Sequence, residues 1–561
     1  MTPRRFRAAL VAVATTASLT LAGCTGTEST SAAPTEDGLI PVLNYGDFGG
    51  GEMPKENYNP FLLATKLSAT EYLYERLMIV ETYSCQEIPW LATGYDWTDD
   101  KTLVFDIRDG VKWNDGEDFT NEDVAYTFNL IKENDVLDTA GVWQYLDAVE
   151  ATGDSQVTFT FKEPGGSAFQ MINGVPIVPE HVWSQVDDPT TFTNAKDPVG
   201  TGPMTIKSFN PRELTIERNP DYWQADDLKV KEIKFHKVDS GGQVEQLKLS
   251  RGEYDTQGMY VPDIEKTYVE RDPEHNHYWY APGGVISVYM NLTEKPFDDV
   301  EFRRALTTAF NYDEVVEKAQ LGYVEQASQT GLVIPGQEDW LPEGLENEGK
   351  MPYDAEAADQ ALTDAGYKTD ADGNRLDKDG NPISFSFKVP GEYLDWVAAS
   401  DILIENLQDL GFEVDQETPQ PATHDEDRKT GNYDMIFGVY GGTCDMYRNF
   451  ADPLDSSRTA PVGKPALSNE TRWQDPETDA LLADLKVATD ESEQQEAVAG
   501  LAEIMMDEVP NIPIWYGAKW FQYSTKNAVG WPNEDDPYAG SNDFLPMLMH
   551  LRPAEDSGDE G

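Results

Sequence analysis

The chain has 561 residues, and its 102 Asp plus Glu against 42 Lys plus Arg leave a formal charge of −60. A field of that sign repels nucleic-acid phosphates and anionic lipid headgroups, which excludes a nucleic-acid binder and a protein docked through a polybasic patch. With 39% hydrophobic residues, 13 Trp and 26 Tyr, the chain can still fill several cores. At about 100–200 residues per domain it has the length for two to four domains, and the charge reads as a solvated acidic coat.

In chain order, Arg4, Arg5 and Arg7 precede an uncharged stretch of small apolar residues, Ala8 to Ala22. That stretch is shorter than the roughly 20 residues of a membrane span. With Leu21-Ala22-Gly23-Cys24 at its end, it has the layout of an export signal over residues 1–23. The last four residues resemble the lipobox of bacterial lipoproteins, which implies lipidation at Cys24. Residues 24–37, rich in Ser, Thr, Ala and Pro and without periodicity, read as a flexible tether. No other stretch approaches a membrane span, so the body is expected outside the cell membrane, held to its outer face by the lipid alone. Cys85 and Cys444 then remain as an even pair in an oxidising compartment. They are either a disulfide or two separate buried thiols, and too few for a four-ligand zinc site.

The body alternates strand and helix signals. Tyr95 to Arg108 places Leu103, Phe105 and Ile107 on one face and reads as a half-buried strand. Asp109-Gly110 and Asp115-Gly116 signal turns. Thr120 and the acids after it cap a helix through Val124, Phe128 and Ile131. Gln156 to Lys162 is a strand. Phe302 to Phe310 and Tyr312 to Gly322 read as helices. The turn Lys378 to Asn381 leads into a strand over Ile383 to Lys388. A helix over Ala398 to Leu410, a strand at Phe412 to Val414, a mostly helical run from Asp479 to Val509 and a buried strand at Ile512 to Tyr516 complete a mixed α/β pattern without internal repeats.

The segment from Thr102 to Val124 (TLVFDIRDGVKWNDGEDFTNEDV) resembles the signature of the family 5 extracellular solute-binding proteins, the receptors of peptide and nickel ABC importers. Further landmarks follow in order: Asn59-Pro60-Phe61, Val178-Pro179-Glu180, Gly200-Thr201-Gly202-Pro203, Arg218-Asn219-Pro220, Pro296-Phe297-Asp298 and Glu508-Val509-Pro510. The resemblance spans about residues 40–550. It implies an α/β, periplasmic-binding-protein-like two-lobed clam-shell of type II with an extra inserted domain, closing on its ligand by a hinge. The first lobe is expected from residues 38–82, 200–288 and 516–555 with an inserted domain at 83–199, and the second from 289–515. The chain is expected to cross near Gly284 to Leu292 and Ile514 to Ala518. Gly200-Thr201-Gly202-Pro203 lacks the helix of a phosphate-binding loop and reads as a turn.

The resemblance also implies a monomeric receptor without cofactor or catalysis. It would take a short oligomeric solute in the interlobe cleft and deliver it to permease subunits served by cytoplasmic ATPases. The loop Gly438 to Tyr447 corresponds to a family segment, often Gly-Trp-x-x-Asp-Tyr, whose Asp meets the peptide amino terminus in oligopeptide receptors. Asp445 falls there and offers a charge-assisted hydrogen bond. The Trp is absent and two glycines intervene, so Asp445 reads equally as a loop acid. Tyr440, Gly441 and Gly442 share that loop. Gln257 and Tyr260 follow Gly252-Glu253-Tyr254-Asp255, where relatives turn toward the cleft. Trp143 and Tyr145 lie where relatives send an aromatic to the ligand, or are plain core.

Residues 259–332 are similar to the branch containing cello-oligosaccharide receptors, so oligopeptide and β-linked oligosaccharide both stand as ligands. Three other readings weigh less. One is a nickel receptor using His275 and His277. Another is a secreted glycosidase using paired carboxylates. The third is a serine nucleophile in Asp239-Ser240-Gly241-Gly242, which lacks the glycine and the His segment that such a protease needs.

Overall fold

The computed structural model describes residues 38–48, 55–238 and 242–554. The expected export signal, tether and Cys24 lie outside these residues, as do Asp239, Ser240 and Gly241. Three sheets organise the chain. A seven-stranded sheet runs in the order Asn276–Tyr278, Gln522–Ser524, Thr256–Gln257, Leu43–Phe48, Glu232–Lys237, Glu213–Arg218 and Met204–Asn210. A four-stranded antiparallel sheet contains Ala92–Asp99, Thr102–Ile107, Gln156–Phe161 and Leu146–Thr152. One continuous apolar core joins these two sheets into a first lobe.

The helix Asn121–Glu133 closes one side of that lobe. Thr120 caps it in a reciprocal box, and the Asp123 carboxylate accepts the Thr120 N–H at 2.9 Å. Val124, Phe128 and Ile131 are buried, as the 3.6-residue period requires. The fully buried Trp113 donates its indole N–H to Asp123 at 3.4 Å, which ties the preceding turn to the helix start. Gly200 and Gly202 lie against the backbone of Tyr72 and Leu73, where a Cβ would fall within 2.2 Å of a carbonyl oxygen. That run is a packing turn.

The expected single strand from Tyr95 to Arg108 is two strands of a hairpin. Tyr95 faces Phe105 and Trp97 faces Leu103, and the Asp99 carboxylate accepts the Lys101 N–H at 2.9 Å to close the turn. Alternation continues through the turn because both arms keep one face inward, so the period hides the reversal. The run from Asp479 to Val509 is likewise two helices, Pro476–Val487 and Glu491–Asp507, with Asp490 capping the second through the Ser492 N–H at 2.9 Å. The segment expected as a helix from Tyr312 to Gly322 forms one α turn, Tyr312–Glu314, and then a π-helical turn, Val315–Ala319.

A five-stranded sheet in the order Glu413–Glu417, Ser384–Lys388, Met435–Tyr440, Ala281–Met290 and Ile512–Lys519 builds the second lobe. Both of its faces are covered. Ile286, Val288 and Phe437 feed one core, while Val285, Tyr289 and Ile436 feed the other.

Ala281–Met290 and Ile512–Lys519 are also the crossings between lobes. They pair antiparallel, with Ala281 opposite Lys519 and Val285 opposite Tyr516, and the register slips at Gly283-Gly284. A Cβ on Gly283 would fall 2.8 Å from the Gly517 carbonyl, and one on Gly442 would fall 2.8 Å from Gly283 and Gly284. Backbone therefore rests closely on backbone where the lobes meet, with the Val439 and Lys519 side chains beside Gly284 and Gly283.

Candidate functional site

A cavity of about 490 Å³ lies between the lobes. The first lobe contributes Glu87, Tyr95, Trp97 and Phe169, and the second contributes Asp339, Trp340, Asp445, Tyr447 and Glu491. Four of the lining residues are carboxylates, and none is Lys, Arg or His. The combination of flat aromatic walls and a carboxylate-rich described lining suits a cationic or hydroxyl-rich guest.

Asp445 sits at the start of the helix Met446–Leu454, and its carboxylate accepts the Arg448 N–H at 3.0 Å. The positive end of the helix favours ionisation. Burial acts more strongly and pushes the carboxyl up to about 6, against the lowering by the Arg448 N–H and guanidinium. Opposite, Glu87 accepts the Tyr95 hydroxyl at 2.9 Å, and burial raises its carboxyl as well. A cation entering here would relieve both groups.

Cys85 and Cys444 are bonded, with Cα atoms 5.2 Å apart. Cys85 lies between the strands Met78–Val80 and Glu87–Pro89 of the first lobe, and Cys444 directly precedes Asp445. The bond thus joins the lobes and fixes the site carboxylate's own backbone. It stands two residues from Gly442, which packs on the crossing strand. A covalent link between the lobes restrains how far they can part. Other contacts draw the lobes together nearby. The Lys519 ammonium donates to the Thr82 carbonyl at 2.9 Å, and Gly336 and Gly166 abut the backbones of Tyr83 and Ala488.

The remaining expected site residues are dispersed. Gly441 and Gly442 hold φ of 69° and 71° and turn the chain back beneath the crossing. Tyr440 is buried in the second-lobe core beside Tyr289. Trp143 donates its indole N–H to the Phe128 carbonyl at 2.8 Å and lies under the Lys132 ammonium at 4.0 Å, an arrangement that braces the first-lobe helix. Tyr145 reaches the interlobe face, where the second lobe's Lys486 lies 5.5 Å from its ring and 5.9 Å from Tyr447. Gln257 lines a separate cavity of the first lobe, and Tyr260 stands half-exposed against Trp520 at 5.3 Å. The structure brings Asp445 together with Cys85 and Cys444, and brings Gln257 and Tyr260 to Trp520.

Glu87, Trp97, Asp339, Trp340 and Glu491 were not singled out from sequence. They lie on distant segments without a shared motif, and the only local hint is a pair of aromatics, Tyr95 and Trp97, on a strand rich in acids. His275 bonds Asp272 at 2.9 Å, and the His277 ring stacks on Tyr523. Among the described residues no group of three or more His, Cys, Asp or Glu is arranged to hold a metal ion.

The family model of bacterial extracellular solute-binding proteins, family 5 (Middle), matches residues 86–461. The chain belongs to this family. Its members are extracytoplasmic binding proteins of ABC importers rather than enzymes. The chain is 26% identical to the oligopeptide-binding protein AppA of Bacillus subtilis over 433 residues, covering 74% of this chain and 76% of that one. A periplasmic oligopeptide-binding protein of an oligopeptide ABC transporter from Thermotoga maritima is 26% identical and superposes with a TM-score of 0.77, covering 91% of this chain and 99% of that chain. The mannohexaose-bound structure from that organism superposes at 0.68, with 26% identity and coverage of 92% and 99%. These matches make the α/β architecture that of a family 5 two-lobed receptor. Among the described residues no helix is long and apolar enough to cross a membrane.

Proposed function

We propose that this family 5 protein captures short oligopeptides in the interlobe cavity, with Asp445 receiving the peptide's amino terminus, and hands them as a monomer to the permease of an ABC importer. The observation that carries this reading is the cavity's charge: four carboxylates and no cation among its lining residues. An ammonium gains a charge-assisted hydrogen bond there, worth about 1.5–3 kcal/mol, and neutralises part of the carboxylate charge as well, whereas a sugar hydroxyl gains the hydrogen bond alone. The B. subtilis relative named for oligopeptides points the same way. Closure follows from differential affinity, since the guest touches both lobes only in the closed form.

A β-linked oligosaccharide is the second reading. The mannohexaose-bound relative favours it, as do the Trp97 and Trp340 faces in the cavity. Calorimetry separates the two. Alanine peptides with a free amino terminus should release saturable heat, their N-acetylated forms little, and cello- and manno-oligosaccharides none. Heat from the sugars alone overturns the peptide reading, and product formation alongside binding overturns the receptor role. Anchoring through Cys24 belongs to the same proposal: Cys24→Ser should release the protein from the membrane fraction.

A further inference from the structure

Gln257 is 8% exposed, yet its Oε1 has no hydrogen-bond partner among the described residues. A buried carbonyl of this kind ordinarily finds a donor, because desolvation without one costs about 1–3 kcal/mol. The carboxamide lies hard against Gly46, where a Cβ would fall 1.8 Å from Oε1, so only glycine at that position lets it enter. It lines a cavity of about 260 Å³ with the aromatic Trp520, Phe521 and Phe544 and the polar Thr256, Ser541 and Asn542, and among the described residues none that lines it is charged. Asn542 stands exposed at its rim.

The cavity is not isolated. Asn542 and Phe544 also line a neighbouring cavity of about 330 Å³, which shares Gln170 with the interlobe cavity that holds Asp445. The three cavities thus neighbour one another along the first lobe, separated by these shared side chains.

We infer that the Gln257 cavity is a second subsite, which takes one hydroxyl-bearing aromatic ring, such as a tyrosine side chain of the captured peptide, with its hydroxyl on the Gln257 carboxamide. Its volume falls below the roughly 300–1,000 Å³ of sites for drug-sized ligands and suits a single side chain. The aromatic walls supply much of the affinity, and among the polar groups of the lining the unpartnered carboxamide supplies the choice. A hydroxyl both donates and accepts, so it pairs with either orientation of the carboxamide. A phenylalanine ring of nearly equal shape would leave the carbonyl unpartnered. This inference rests on the peptide-receptor reading for the identity of the guest, while the pocket's preference is a property of the free protein.

Fluorine NMR on the full-length protein tests it, with 4-fluorophenol and fluorobenzene as probes. The phenol should bind at least tenfold more tightly than fluorobenzene, and Gln257→Leu should remove that preference while leaving fluorobenzene unchanged. Asn542→Trp, at the exposed rim, should block both probes, and it serves as the deciding variant if Gln257→Leu lowers the melting temperature. Equal affinity for the two probes, or indifference to both substitutions, overturns the inference. Peptide heat in calorimetry with no phenol binding overturns the subsite alone. Phenol preference without peptide heat supports the pocket and overturns only the receptor reading.

Discussion

Asp445 and Gln257 stand at the two ends of this row of neighbouring cavities and are held in different ways. Asp445 is fixed by a covalent bond through its neighbour Cys444 and by the helix that it caps, in a space walled by both lobes and crowded with carboxylates. Gln257 is fixed by packing against Gly46 within one lobe, in a space without charge. The first end forms only when the lobes meet, so it reports closure and responds to pH and salt. The second exists in the first lobe alone, so it reads shape and one hydrogen bond. Affinity that depends on closure and selectivity that does not are thereby separated along one site.

The comparison breaks most visibly at the disulfide. Replacing Cys85 and Cys444 together by Ser should destabilise the protein by about 2–5 kcal/mol in denaturant unfolding, the usual effect of losing a native bridge. It should weaken peptide binding at the Asp445 end, while 4-fluorophenol binding at the Gln257 end stays as before. Equal losses at both ends would show that the bridge shapes the whole first lobe.

Next in size is Asp445→Asn. Asparagine caps a helix about as well as aspartate, so the helix start survives. Calorimetry should show a loss of about 10- to 100-fold for peptides with a free amino terminus, from about 1.5–3 kcal/mol of charge-assisted bonding, and almost no change for N-acetylated ones.

The pH dependence sharpens the contrast, because affinity and stability move in opposite directions. Asp445 ionises at about 6 in the free protein, and a bound ammonium holds its proton off to lower pH. Peptide affinity should therefore be full above pH 6 and fall by up to about tenfold per unit as the pH drops below it. The stability of the free protein behaves differently. Burial also holds Asp543 at about 6, against the lowering by its Thr82 and Gly540 N–H bonds, and Glu81 adds to the rise. Both carboxyls lie above their unfolded values, so the native state takes up protons first and gains stability as the pH falls from about 6 towards 4. A melting temperature higher at pH 5 than at pH 7, with part of that gain lost in Asp445→Asn, is the expected result.

The smallest effect is Gly46→Ala. The added methyl would displace the Gln257 carboxamide. It should reduce the preference for 4-fluorophenol over fluorobenzene several-fold and leave Asp445-dependent binding untouched.

Much of the fold could be read locally. The helix Asn121–Glu133 and the strand Gln156–Phe161 follow from capping residues and period, because their determinants lie within a dozen neighbouring residues. Reversals that preserve the period were invisible, as at Asp99 to Thr102, and so was the break at Ala488 to Asp490, where a contact from Gly166 of the other lobe fills the gap. The site was less legible. Asp445 was found through a motif, but its companions Glu87, Asp339, Trp340 and Glu491 come from segments up to about 400 residues apart, brought together only by lobe closure. The family resemblance placed Trp143 where relatives send an aromatic to the ligand, yet its indole N–H is spent on the Phe128 carbonyl. The Cys85–Cys444 pairing stayed undecided in the sequence, since an even count fits bonded and unbonded thiols alike.

The seven-stranded sheet carries one further consequence. Its strand Gln522–Ser524 is internal, lying between Thr256–Gln257 and Asn276–Tyr278, and the late helix Phe544–His550 adds Met547 and Leu548 to the same core. All five strands of the second sheet, by contrast, lie between Ala281 and Lys519. A chain emerging amino end first can therefore complete the second lobe while the first still waits for its last forty residues. A chain cut short near residue 520 would keep all five strands of the second lobe's sheet, while the first lobe's sheet would lose the strand that joins Asn276–Tyr278 to the rest.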